Sequence, residues 1–199
     1  MKLTKMVINN FRSFGECQAI NFNNQTVLIG NNSSGKTTVL QALSKLFSDK
    51  QSDRIIRKSD FHLPKGLRPG KNTRNLFIET IFEFDELAGT VYGPAIPTFF
   101  EHFTVSQDGA KPFLRIRLES SWEDDGTVEG SIDTQIYYIS SDEDTISDED
   151  KHRAPRKDLD KIRVLYVPAS RTPEKELGNA SGSMLSRLVN SINWTEDEI

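Results

Sequence analysis

An α/β fold is predicted for this 199-residue chain by three observations. A glycine-rich loop sits between an apolar run and an amphipathic helix within the first fifty residues. Alternating apolar and polar segments separated by Asp-Gly turn signals follow it, the pattern of an antiparallel meander. Strands also precede the glycine-rich loop, which is not the order of chains that open on the phosphate-loop strand.

The elements follow in order. Residues 2–9 and 17–22 read as two strands joined by "NNFRSFGE". The stretch "VLIGNNSSGKTTVLQAL", residues 27–43, then reads as a short buried strand (Val27, Leu28, Ile29), a loop and a helix. Gly30 to Thr37 fit G-x-x-x-x-G-K-[ST], the P-loop pattern. The spacing has a chemical basis. Gly30 and Gly35 permit backbone angles closed to other residues, so that N–H groups can wrap a phosphate chain. Lys36 brings a mobile point charge to the outer phosphates, and the Thr37 hydroxyl is the expected Mg²⁺ ligand. The helix that follows directs its positive dipole end at the anion. Val39, Ala42, Leu43, Leu46 and Phe47 recur at helical spacing and predict one buried face.

Residues 54–74 hold seven Lys or Arg among Pro and Gly breakers and read as a long basic loop. In "LFIETIFEF", Leu76, Ile78, Phe82 and Phe84 alternate with Glu79 and Glu83. "FFEHFTV" and "FLRIRLE" flank Asp108-Gly109, and Asp125-Gly126 precedes "SIDTQIYYI". Together these make the meander. "SDEDTISDED" packs six carboxylates into ten residues and reads as a mobile, solvated loop rather than a metal site. "KIRVLYVPASRTP" reads as a buried strand stopped by Pro168. A last helix is expected around Met184, Leu185, Leu188 and Ile192.

The bulk properties exclude several classes. Net charge is −4, so a generally basic nucleic-acid coat is not expected, and charged residues make up 27% of the chain. Mean hydropathy is −0.51. No stretch reaches the roughly twenty apolar residues of a membrane span, and the N-terminus lacks a signal peptide's apolar run. The single cysteine, Cys17, rules out an internal disulfide framework and fits a reducing cytoplasm. A GTPase is excluded by the lack of [NT]-K-x-D and D-x-x-G motifs.

With these residues in view, "INNFRSFGE" followed by "NNQTVLIGNNSSGKTTVLQAL" resembles the N-terminal lobe of ABC-type ATPase heads of the RecF, SMC and Rad50 kind. "KSDFHLP" and "VLYVPASR" resemble more specifically the OLD (overcoming lysogenization defect) family, whose members join such an ATPase to a C-terminal Toprim nuclease domain and in part act in antiviral defence. The resemblance implies ATP and Mg²⁺ as cofactors, with the nucleotide met by Arg12, Ser13, Gly30, Asn31, Asn32, Ser33, Ser34, Gly35, Lys36, Thr37 and Thr38. It also places Ser59, Asp60 and Phe61 beside the base. Thr37 is the implied metal ligand.

The family's remaining machinery is not visible. "IFEFDE", Ile81 to Glu86, ends in the dipeptide of a Walker B strand, but Glu83 interrupts the apolar run, and it reads as a half-exposed sheet edge. No LSGG-like signature and no Toprim carboxylate cluster occur, so no catalytic residue is assigned. The resulting expectation is a P-loop NTPase fold, an incomplete ABC-type head lobe over residues 1–199. Its parts are a P-loop core (1–50), a basic loop and antiparallel sheet (51–140), an acidic flexible loop (141–160) and a strand plus helix (161–199). A homodimer or higher oligomer through the head is implied for the full protein. A module that binds nucleotide without turnover stays open as an alternative. So does DNA contact through the basic loop, although no aromatic ladder accompanies its charges.

Overall fold

Among the described residues, seven strands form one sheet in the order β2-β1-β3-β5-β6-β7, with β4 paired to β5, and every neighbouring pair is antiparallel. The strands are β1 (Lys2–Asn9), β2 (Gln18–Asn21), β3 (Arg74–Glu83), β4 (Thr104–Val105), β5 (Phe113–Glu123), β6 (Ser131–Ile139) and β7 (Lys151–Arg153). The helices are α1 (Lys36–Phe47), α2 (Gln51–Arg54) and α3 (Arg156–Leu159), with 3₁₀ turns at Lys58–Asp60 and Asp148–Asp150. This computed structural model describes residues 1–64, 73–84, 104–105, 112–164 and 166. The chain divides into a unit Met1–Leu165 and a unit Tyr166–Ile199, and the structure below is that of the first.

The alternation of side chains along the strands builds the core. Successive residues of a strand face opposite sides, so one set of alternates can be apolar throughout. Met6, Thr80, Ile116 and Tyr138 lie opposite one another across β1, β3, β5 and β6, and all four are fully buried. Helix α1 supplies Val39, Ala42, Leu43, Leu46 and Phe47 to the same core, and Phe47 meets Phe82 of β3 edge-on at 5.7 Å. The helical spacing and the strand period thus converge on a single apolar cluster.

The opposite sheet face mixes apolar residues such as Val7, Ile81 and Phe113 with charges that pair. Glu79 of β3 is buried and forms ion pairs with Arg115 Nε at 3.0 Å and Arg117 Nη1 at 3.2 Å. Arg117 also donates to Glu119 Oε1 at 2.8 Å, and Lys151 of β7 reaches Glu119 Oε2 at 3.1 Å. The Arg117 guanidinium stacks over Phe77 at 3.6 Å from the ring centre.

These contacts correct the expected sheet edge. β3 lies between β1 and β5, inside the sheet, because Glu79 is compensated by two arginines of the adjacent strand rather than by water. Phe84 is the last described residue of that stretch. Asp85 and Glu86 lie outside the described residues, as do the helix expected around residues 184–192 and most of "FFEHFTV".

Three further expectations change. Val27 to Ile29 do not form a strand: none of them pairs among the described residues, and Val27 and Ile29 are 79% and 91% exposed. Apolar residues signal burial, but a strand exists only where another strand takes its hydrogen bonds. The basic loop 54–74 is not uniformly solvated. Its first part is packed, with Ile56, Asp60 and Phe61 buried, while Lys65, Arg68 and Lys71 lie outside the described residues. Lys58, in its first part, and Arg74, at its end, flank Trp122 at 4.9 and 5.1 Å from the ring, and Lys58 also donates to the Val128 carbonyl at 2.6 Å. The acidic stretch is likewise tied down. Arg115 Nη1 donates to the carbonyls of Ser141 and Glu143, residues 148–150 form a 3₁₀ turn, and β7 pairs with β6.

The packing of α1 makes a direct prediction. Leu46→Ala, at a fully buried position, should cost about 2–5 kcal/mol in urea unfolding. Leu40→Ala, on the exposed side of the same helix, should stay within about 0.5 kcal/mol of wild type. Equal midpoints for the two variants would contradict the assignment of the inner face.

Candidate functional site

Helix α1 starts abruptly. Its N-cap, Gly35, has φ 95 and ψ 2, in the left-handed region that only glycine adopts without strain. A Cβ at this position would lie 2.9 Å from Ser13 Oγ and 3.0 Å from Phe14 Cζ, so space as well as torsion excludes a side chain. Because the N-cap is a glycine, no side chain caps the helix, and its first-turn N–H groups stay available to an anion. Ser33 is also left-handed, with φ 66, and folds the loop back so that Ser34 N–H donates to the Asn31 carbonyl at 3.3 Å.

Lys36 turns into this loop. Its Nζ donates to the carbonyls of Gly30 at 2.8 Å and Asn31 at 2.6 Å, which holds the ammonium in the ring of loop atoms. Asn31, Asn32, Ser33 and Ser34 are exposed, as is Thr37 on the first helical turn. Thr38 is buried and its Oγ1 accepts from Ser13 Oγ at 3.2 Å. The structure therefore brings Ser13, Gly30 to Thr38 and their N–H groups to one end of α1. An ammonium, a free helix N-terminus and a hydroxyl suit a phosphate chain. Thr37 can add one oxygen to a divalent ion, the phosphates supplying others. Among the described residues no group of three metal-ligating side chains exists to hold an ion without phosphate.

Behind the loop lies a buried charged cluster. Asp60 is 1% exposed. Its Oδ1 accepts from Arg12 Nε at 2.8 Å and Nη2 at 2.7 Å. Its Oδ2 accepts from Lys45 Nζ at 2.8 Å and Arg57 N–H at 2.9 Å. Arg12 Nη1 donates to Gln41 Oε1, and Lys45 Nζ also donates to the Ile55 carbonyl. Burial alone would raise the Asp60 pKa. The hydrogen bonds and charge of Lys45, the Arg57 N–H and the bond from Arg12 outweigh it and hold the carboxyl below the usual range.

This geometry reassigns part of the expected site. Asp60 and Phe61 are buried and only Ser59 of that trio is exposed, so a direct contact between Asp60 and a base is not available to the side chain. Sequence reasoning missed Lys45, Gln41 and His62. For Lys45 a signal was present: it lies three residues after Ala42, on the inward face of α1. A lysine at an inward position requires a buried counter-charge.

A sequence-family profile of the AAA ATPase domain matches residues 1–176. No curated protein matches the sequence. Among solved structures, the SMC head domain from Thermotoga maritima is 18% identical at a TM-score of 0.44, over 81% of this chain. The chain spans 41% of that head domain. A structure from work on the ATP-driven dimerisation and DNA-stimulated activation of SMC ATPases is 14% identical at a TM-score of 0.54, over 97% of this chain and 100% of its own. The latter similarity is one of fold, that of a P-loop ATPase.

The charged cluster makes stability pH-dependent. The folded pKa of Asp60 lies below the reference 3.8, so the native state takes up this proton less readily than the unfolded chain. The stabilisation is complete above that reference value and is lost as the pH falls through the folded pKa. Asp60→Asn leaves Lys45 buried without its counter-charge and should cost about 3–5 kcal/mol at pH 7. Urea midpoints of both proteins between about pH 3 and pH 7 should converge as wild-type Asp60 protonates in acid. A difference independent of pH would show that the carboxylate charge is not what stabilises the fold.

Proposed function

This chain belongs to the AAA ATPase domain family, and from that premise we propose that it binds Mg-ATP at Gly30–Thr38 as the nucleotide-binding lobe of an OLD-type ATP-dependent DNA nuclease. The observation that carries the nucleotide reading is the uncapped N-terminus of α1 beside the Lys36 ammonium. The same few ångströms collect N–H donors, helix dipole and a cation, the set that a polyphosphate satisfies. Bound there, Mg-ATP would supply the phosphoryl chemistry, and the chain's own contribution is to hold and orient it. Thr37 is the residue for the metal, and Arg12 and Ser13 approach from the β1–β2 turn.

The OLD reading is supported by "KSDFHLP", residues 58–64. This segment contributes Asp60 and His62, both bonded to the turn that carries Arg12. A RecF- or SMC-like DNA repair ATPase is the second reading, favoured by the shared fold with an SMC ATPase structure. ATP-driven dimerisation is named for those SMC ATPases, and we extend it as a proposal to this protein in either reading. Under both, the present chain binds ATP without efficient turnover, because hydrolysis also requires groups that position water and meet the developing charge.

Two outcomes are expected. Lys36→Ala should abolish ATP binding in calorimetry while circular dichroism stays that of the wild type. Equal affinities would overturn the site. Purified chain should hydrolyse ATP more slowly than about 1 s⁻¹, the lower end of ordinary enzymes. A faster rate that disappears in Glu86→Gln would promote Ile81–Glu86 to the catalytic strand.

A further inference from the structure

The turn between β1 and β2 is held in an unusual conformation. Two of its non-glycine residues, Asn10 and Arg12, are left-handed, each with φ 51. Such torsions persist only where the surroundings over-determine them, and they concentrate at sites that bind or react. Here the surroundings are residues 60–62. Arg12 N–H donates to the Asp60 carbonyl at 2.8 Å, and His62 N–H donates to the Asn10 carbonyl at 2.8 Å. His62 Nδ1 lies 2.7 Å from the Arg12 carbonyl, which makes it the protonated ring nitrogen. Gly15 closes the turn over the imidazole, where a Cβ would come within 2.7 Å of Nε2.

The Asp60 side chain completes the clamp. Both its oxygens are occupied, Oδ1 by the Arg12 guanidinium and Oδ2 by Lys45 and Arg57 N–H, so no ligand can reach the carboxylate. The Arg12 side chain, by contrast, is 32% exposed. The next residue, Ser13, touches Thr38 in the first turn of α1. Neutralising Lys45 would require Asp60 alone. The third, partly exposed partner is not needed for that, and an apolar pair of similar volume would serve the core as well.

We propose that Asp60 is a positioning residue for Arg12, clamping the guanidinium beside α1 so that it meets the phosphate chain already aimed, without touching the nucleotide itself. This rests on the nucleotide reading above. It extends that reading to a group outside the P-loop and replaces the contact with the base expected from sequence.

The experiment uses the 199-residue chain and Mg-ATP. Asp60→Asn alone strands Lys45 and can unfold the protein, so the working variant is Lys45→Met with Asp60→Asn, which removes both buried charges. Its affinity for ATP is compared with that of Arg12→Ala and of the triple variant. The double variant should lose about tenfold, as Arg12→Ala does, and add nothing further in the Arg12→Ala background, the signature of residues acting as one unit. In nucleotide-free protein the protected ¹⁵Nε–H resonance of Arg12 should disappear in the double variant. Losses that multiply, wild-type affinity in the double variant, or a persisting Arg12 resonance would each overturn the clamp while leaving the P-loop site standing. Failure of wild type to bind Mg-ATP, with Lys36→Ala no different, would overturn the nucleotide reading and the positioning role with it.

Discussion

One buried carboxylate ties together the parts of this lobe that lie far apart in sequence. Asp60 receives Arg12 from the β1–β2 turn, Lys45 from the last part of α1 and the Arg57 N–H from its own 3₁₀ turn. A lone carboxylate so deeply placed would be untenable, and so would the buried ammonium of Lys45 without it. Each of the three elements is therefore committed to the position of the others. The glycine-rich loop inherits that order, because Ser13 packs against Gly35 and Thr38 just where α1 begins.

The sheet solves a related problem in another way. Its inner face is largely apolar and is covered by α1 together with Ile56, Phe61, Leu159 and Ile162. Its outer face carries Glu79, Arg115, Arg117, Glu119 and Lys151 in a row of mutual pairs across β3, β5 and β7. Arg117 covers Phe77, and Lys58 with Arg74 covers Trp122, so long cationic side chains shield aromatic surface. Among the cations of the basic segment, Lys58 and Arg74 do not stand free. They are engaged with an aromatic ring of the same lobe.

At the loop, conformation and electrostatics point the same way. Gly35 is required by its torsion and by the closeness of Ser13 and Phe14, and its lack of a side chain leaves the helix end open. A serine or aspartate there would cap the helix and compete with an anion for the same N–H groups. The capping that most helices use is given up, and a polyphosphate would restore the missing interaction.

Much of this was legible in the residues themselves. The P-loop spacing, the inward face of α1 and the alternation of β3 and β5 are local patterns, and each maps onto a local geometry that the structure reproduces. What stayed hidden depends on partners distant in sequence. β3 looked like a sheet edge because Glu83 interrupts its apolar run, and only the pairing with both β1 and β5 places it inside the sheet, where Arg117 lies opposite the buried Glu79. Asp60 was placed beside the base by the resemblance alone; its charged partners are Arg12, 48 residues before it, and Lys45, on the inward face of α1. Val27 to Ile29 looked buried for their apolarity alone, yet no strand among the described residues pairs with them. Sequence by itself determined where the P-loop pattern lies, since it is written in eight consecutive residues. Tertiary structure alone decided which charges are sheltered and which are free, because the cost of burying a charge depends on what the fold sets against it.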